Sequence, residues 1–267
     1  MKTMKYFFMA ALALMTAACS NEDNEITQQP QNTRGIPFTV TLSMGESATT
    51  RALTPNGNKI DATWETGDEV ALIYTVENTT YKKVATVTAQ TDGTATVSTK
   101  LDGNPDDGTT VTIIYPATAA DETTNDYIKA NLLEDQDGTL EGIAAKYDVR
   151  KGTGKLSITG EGNNKTATVY DDTKTRNLVK LENEYAIIKF TLKDLDNQLL
   201  SATKFTITGS ANDDVKAIVT PNSAQTFFVA VPAMTKLTTG KYWFKATANN
   251  VDYIAKVNMK ENASVEK

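Results

Sequence analysis

Few residues in this chain could do chemistry, and the most informative is its single cysteine. Cys19 follows Lys2 and Lys5, an apolar run from Tyr6 to Met15, and the small residues Thr16, Ala17 and Ala18. A basic start, a short apolar stretch and a small-residue site together make an export signal. The apolar run is too short for a membrane-spanning helix, which takes roughly 20 residues. A cysteine directly behind such a site is the pattern for lipid attachment, the thiol becoming the modified first residue of the mature chain. Residues 1–18 are therefore read as a signal peptide and Cys19 as the lipidation site. Behind it "SNEDNE" carries Glu22, Asp23 and Glu25, and "ITQQPQNTR" continues as a polar leader, soft in composition.

The rest of the chemical inventory closes more routes than it opens. The chain has no histidine, and with its thiol given to lipid it lacks the usual general base and the usual sulfur nucleophile. Histidine-containing zinc sites are excluded with it. Asp135, Asp137 and Gly138 in "EDQDGTLEG" invite a calcium reading. An EF-hand loop with Gly138 sixth would need acidic residues at 133 and 144, which are Leu133 and Ala144, so that reading fails. Asp68, the turn acids of "DGNPDDG" (102–108), Asp171-Asp172 and Asp213-Asp214 fit no reactive constellation. No catalytic residue, metal ligand or cofactor is assigned, and a non-enzymatic protein is expected. The formal net charge of −6 becomes two units more negative when Lys2 and Lys5 leave with the signal peptide. That argues against nucleic acid as a partner. Trp243, alternating with Tyr242 and Phe244, is either a second-face core residue or a surface platform for sugar.

The elements that must position these residues read as strands. "EVALIY" (69–74), "YKKVATVTA" (81–89), "TATVST" (94–99), "TVTIIYP" (110–116), "GTLEGIAAKYDV" (138–149) and "GKLSIT" (154–159) are apolar clusters bounded by turn formers. "YAIIKFTL" (185–192), "ATKFTIT" (202–208), "VKAIV" (215–219), "TFFVAVP" (226–232), "KYWFKATA" (241–248) and "DYIAKVNM" (252–259) follow. Period-two alternation marks strands with one face on a core. The expectation is an all-β chain of two antiparallel, Greek-key-like β-sandwich domains in tandem, at 52–177 and 178–267, separated near the polar stretch 162–177. In "WETGDEVALIY", Gly67-Asp68 is read as a turn, Val70, Leu72 and Tyr74 as core, and Trp64 as an apolar anchor over it.

One strand stands apart. "FTVTL" alternates Phe38, Val40 and Leu42 against Thr39 and Thr41, and the soft segment "SATTRAL" (47–53) follows it. Cutting that segment would free the strand and leave a groove of unpaired backbone and apolar pockets, open to a strand of the same alternation. Repeated head to tail, such exchange builds a filament. The lipoprotein start at Cys19, "TTRAL", "WETGDEVALIY", "EDQDGTLEGIAAKYD" and "LENEYAIIKFTL … FFVAVPA … KYWFKATA" resemble the fimbrillin-like pilins of Bacteroidota, over most of the chain beyond the leader. The resemblance implies a fimbrial subunit carried to the outer membrane surface as a lipoprotein. An arginine-specific protease would cut between Arg51 and Ala52, removing residues 19–51 with the first strand, Phe38, Val40 and Leu42 included. A strand of another pilin subunit would then fill the groove. After Tyr253, Ala255, Val257 and Met259 the tail is charged, with Val265 its one large apolar residue, so the chain is expected to accept a strand better than it donates one. The alternative is a surface glycan-binding lipoprotein that does not polymerise.

Overall fold

The computed structural model describes residues 35–44, 54–56, 59–61, 64–89, 93–129, 133–170, 177–208, 216–232 and 240–259, all within one compact unit spanning Thr33–Lys267. Strand β1 is Ile36–Ser43; β2 (Thr54–Asn56) and β3 (Lys59–Asp61) form a small hairpin. Then come β4 (Glu69–Val76), β5 (Thr79–Ala89), β6 (Thr94–Leu101), β7 (Thr110–Tyr115), helix α1 (Leu140–Lys146), β8 (Arg150–Thr159) and β9 (Thr166–Tyr170). Short β10 (Leu178–Lys180) and β11 (Glu182–Asn183) precede β12 (Tyr185–Thr191), β13 (Ala202–Thr208), β14 (Lys216–Val219), β15 (Thr226–Pro232), β16 (Gly240–Ala248) and β17 (Val251–Met259).

The expectation of two tandem antiparallel β-sandwiches is corrected by the first half of this order. Strands β1, β6, β5, β4, β7, β8 and β9 are neighbours in that sequence, and β9 pairs back onto β1. The result is a closed seven-stranded barrel. Every junction is antiparallel except the seam, where Phe38 and Thr39 lie parallel to Ala167 and Thr168. Farther along β1, β10 takes over from β9, again in parallel, with Thr41–Ser43 against Leu178–Lys180. Alternation could not reveal this, because a barrel stave and a sandwich strand both bury every second residue. Closure rests on pairing between segments more than a hundred residues apart. Two glycines help: β8 points Gly152 and Gly154 inward, and a side chain on Gly152 would run into the Lys180 carbonyl and Leu181.

Side chains fill the barrel. Val70, Leu72 and Tyr74 enter it with Phe38, Val40, Leu42, Val97, Val111, Ile113 and Leu156, and Trp64 packs edge-on against Tyr115 at 5.2 Å. Ala71 and Ile73, on the other face of β4, are buried as well, under a cap containing Ala117, Ala120 and Ile128. That second layer accounts for the unbroken apolar runs in β4 and β7. The turn before β4 also matches its reading: Gly67 has φ +100°, a region that favours glycine.

A second correction concerns 138–149, grouped with the strands above but folded partly as α1. Asp137 Oδ1 accepts from Thr139 N and Thr139 Oγ1, both at 2.8 Å, and Thr139 Oγ1 accepts from Gly142 N at 2.9 Å. That cap starts a turn which inserts Ile143 into the barrel core. Capping by short polar side chains outweighed the weak apolar pattern.

The later strands form a two-stranded sheet, β12–β15, and a four-stranded one, β14–β13–β16–β17. Phe190, Phe205, Phe227 and Phe244 meet between them, with ring centroids 4.6 Å apart for Phe190–Phe205 and 5.0 Å for Phe205–Phe227. Residues 133–138 stitch the two sheets together. Leu133 O accepts from Ile218 N, Gln136 N donates to Ile218 O, and Phe228 N donates to Gly138 O. The buried Gln136 side chain adds Ala230 N to Oε1 at 2.7 Å and Nε2 to Ala230 O at 2.9 Å.

Candidate functional site

Two places could carry function: the stave β1 and the outer face of the four-stranded sheet. In β1, Ile36, Phe38, Val40 and Leu42 point into the barrel and are at most 5% exposed, while Thr39 faces out against Ser98. Its whole length pairs with β6, from Ile36↔Leu101 to Ser43↔Thr94. The opposite edge is held by β9 and β10, with Thr41 N donating to Asn177 O at 3.2 Å and Leu181 N to Ser43 O at 2.8 Å. The strand end is clamped too. Arg150 Nη1 donates to Met44 O at 2.9 Å, and its Nε donates to Asp148 Oδ1 at 2.9 Å, the two side chains being 6% and 10% exposed.

Phe38, Val40 and Leu42 thus act together, as one stave bonded along both edges. Cys19, Arg51 and Ala52 lie outside the described residues, as do Asp171, Asp172, Asp213 and Asp214. The Arg150–Asp148 clamp was not singled out in the sequence. An arginine two residues after an aspartate is too common a pattern to announce a buried pair.

The second place is an exposed sheet face, mostly polar. Trp243 stands on the solvent face of β16, 43% exposed. This settles its alternation in favour of a surface position. Around it on the same face are Thr206 and Thr208 of β13, Lys245 and Thr247 of β16, and Asp252, Ile254 and Lys256 of β17. Lys256 Nζ lies 5.0 Å from the indole centroid, a cation–π contact that steadies the ring. Asp252 receives Lys245 Nζ at 2.8 Å and Thr247 Oγ1 at 2.7 Å. Those two bonds hold its carboxyl below the ordinary carboxylate range. The face offers an aromatic plane beside hydroxyl, ammonium and carboxylate groups, a combination that stacks on and hydrogen-bonds to sugars.

The acids weighed in the sequence are structural where they are described. Asp68 Oδ2 accepts from Glu65 N at 2.9 Å and braces the turn before β4. Asp107 accepts from Ile158 N, Asp137 caps α1, and Asp135 pairs with Lys146 at 2.9 Å. A cleft of about 390 Å³ opens beside α1, lined in part by Lys129, Asp135, Lys146, Tyr147 and Asp148. Burial pushes the Tyr147 hydroxyl up to about 12, so it stays protonated, and the cleft's carboxylates are paired with Lys146 and Arg150. Among the described residues no group of three or more His, Cys, Asp or Glu is placed to hold a metal ion.

No protein-family model and no curated protein matches the chain. Among solved structures it is similar to a candidate cell adhesion protein of Bacteroides ovatus, at 11% identity and a TM-score of 0.46, covering 87% of this chain and 94% of that one. A second likeness, to a candidate cell adhesion protein of Parabacteroides distasonis, has 11% identity and a TM-score of 0.40, with 86% and 82% covered.

Proposed function

We propose that this protein is a lipid-tethered, non-catalytic binding protein of the cell surface, which takes up glycan and does not polymerise. The observation that carries the reading is the Trp243 face, an exposed indole on an open sheet among hydroxyl and charged groups. The export signal and Cys19 support the tether, and the acidic stretch behind Cys19 fits surface display. The lack of any histidine supports a non-catalytic role. Retention of the protein in polysaccharide-containing native gels tests the binding. Slowed migration that Trp243→Ala abolishes while the fold is kept is the expected result. Unchanged migration across a panel of soluble polysaccharides would overturn it.

Strand exchange is the second reading, and β1 is the observation that favours it. The strand is one stave, and its chain continues through 45–53, where Arg51 lies. Its loss would leave a slot between β6 on one side and β9 and β10 on the other. Five buried apolar side chains, Ile36, Phe38, Val40, Leu42 and Met44, would go with it. At about 1.5–3 kcal/mol each, their burial contributes roughly 8–15 kcal/mol before ordering costs, so a vacated slot strongly favours refilling. The same figures weigh against departure unless cleavage is coupled to an incoming strand. Under this reading Arg51→Ala blocks polymer formation and leaves folding intact; polymer ladders persisting in that variant would remove Arg51 from it.

A further inference from the structure

The four-stranded sheet treats its two edges differently. Beyond β14 the segment 133–136 supplies Leu133 O to Ile218 N and Gln136 O to Thr220 N, so that edge is covered. Beyond β17, among the described residues, no strand is paired. This free edge is nine residues long, free of register shifts against β16 and partly apolar, with Val251 51% and Ile254 65% exposed. An uncovered edge of that kind is a template for another strand.

The residues along β17 select the strand that fits. From the pairing with β16, Asp252, Ile254 and Lys256 lie on the Trp243 face, and Val251, Tyr253 and Ala255 on the other. In a symmetric antiparallel pair of two such edges the two-fold axis is perpendicular to the sheet, so each residue faces one of its own face. The axis then falls on a residue, not between two. Centred on Tyr253 it would set Asp252 against Ile254, and centred on Ala255 it would set Lys256 against Ile254. Centred on Ile254, Asp252 of each copy faces Lys256 of the other, Ile254 meets its twin, and Tyr253 meets Ala255 on the reverse face. Only that register satisfies charge and apolar surface together. Asp252 already holds Lys245 at 2.8 Å, so pairing extends each bridge to Lys245–Asp252–Lys256 across the junction.

We propose that β17 is a homodimerisation edge, joining two copies of this chain antiparallel about Ile254 into a continuous eight-stranded sheet. The two Trp243 faces then lie on one side of that sheet. Three strand spacings of about 4.8 Å separate the β16 strands that carry them. Two-dimensional confinement by a lipid tether would favour the pairing by raising the effective concentration. The inference stands apart from glycan binding, because its readout is mass.

The test is sedimentation of the full-length secreted chain carrying Cys19→Ser, at low salt so that surface charge is not screened. A concentration-dependent dimer is expected. Asp252→Lys and Lys256→Asp should each raise its dissociation constant at least tenfold, because each sets like charges across the junction. An equimolar mixture of the two variants should dimerise again, since every like pair becomes an opposite pair. A chain that stays monomeric at high concentration, single variants that dimerise as before, or a mixture no better than its components would each overturn the proposal. Should either charge variant fail to fold, Ile254→Cys decides. Rapid oxidation to a cross-linked dimer supports the axis, and a thiol that stays monomeric refutes it.

Discussion

At the scale of the residue, the side chains that matter most are the ones with a buried charge or an exposed ring. Arg150 is buried, its partner Asp148 is nearly so, and Arg150 also holds the Met44 carbonyl. Replacing Arg150 by Met strands a nearly buried carboxylate and frees the Met44 carbonyl, so a loss of about 2–4 kcal/mol is expected in urea unfolding. A loss below about 1 kcal/mol would mean that the pair does not fasten β1. Tyr74 is a second case. Burial, ahead of its other influences, raises its hydroxyl from the ordinary 10.0 to about 12, and Asp102 N donates to it at 2.7 Å. A group whose folded pKa is raised stabilises the fold fully below its unfolded value and loses that contribution as pH rises through the folded one. With Tyr147 raised in the same way, thermal stability should fall most steeply between about pH 10 and 12, and Tyr74→Phe should flatten that fall. The sequence disclosed the core role of Tyr74 through its alternation with Val70 and Leu72. It could not disclose the exposure of Trp243, since both faces of "KYWFKA" are aromatic and only the position of the opposing sheet decides which one is covered.

At the scale of the element, β1 separates the rival readings. Its amides and carbonyls are engaged on two sides, by β6 and by β9 with β10. Native-state hydrogen exchange should therefore find β1 as protected as β4, with no alternation of fast and slow amides along it. Alternating fast amides would mark an edge strand in solution and favour exchange. Leu42→Ala should cost about 2–5 kcal/mol, the usual range for truncating a large aliphatic side chain in a packed core. Strand existence was legible here because alternation and turn formers bound each run. Pairing order was not, and neither was α1, whose seven residues hold a single buried side chain, Ile143.

At the scale of the whole molecule, a closed barrel and two facing sheets share one compact unit, and residues 133–138 stitch those sheets together. The chain's two tryptophans report on the two parts separately, Trp64 from the barrel core and Trp243 from the solvent face of the four-stranded sheet. Single-tryptophan variants should give coincident denaturation midpoints, as expected of one cooperative unit. Gln136→Ala should shift both midpoints down together, by a loss of stability of about 1–3 kcal/mol, because Ala230 N–H loses its buried acceptor. Separate midpoints would show two independent units. The predominance of β-structure was legible from composition and period; barrel closure was not, because it depends on which distant strands share an edge. The claim on which the account turns is that the tethered chain keeps β1 and is displayed whole. The intact mass and N-terminal sequence of the protein recovered from the cell surface test it most directly. A chain beginning at lipidated Cys19 is the predicted result, and a lipid-free chain beginning at Ala52 would contradict it.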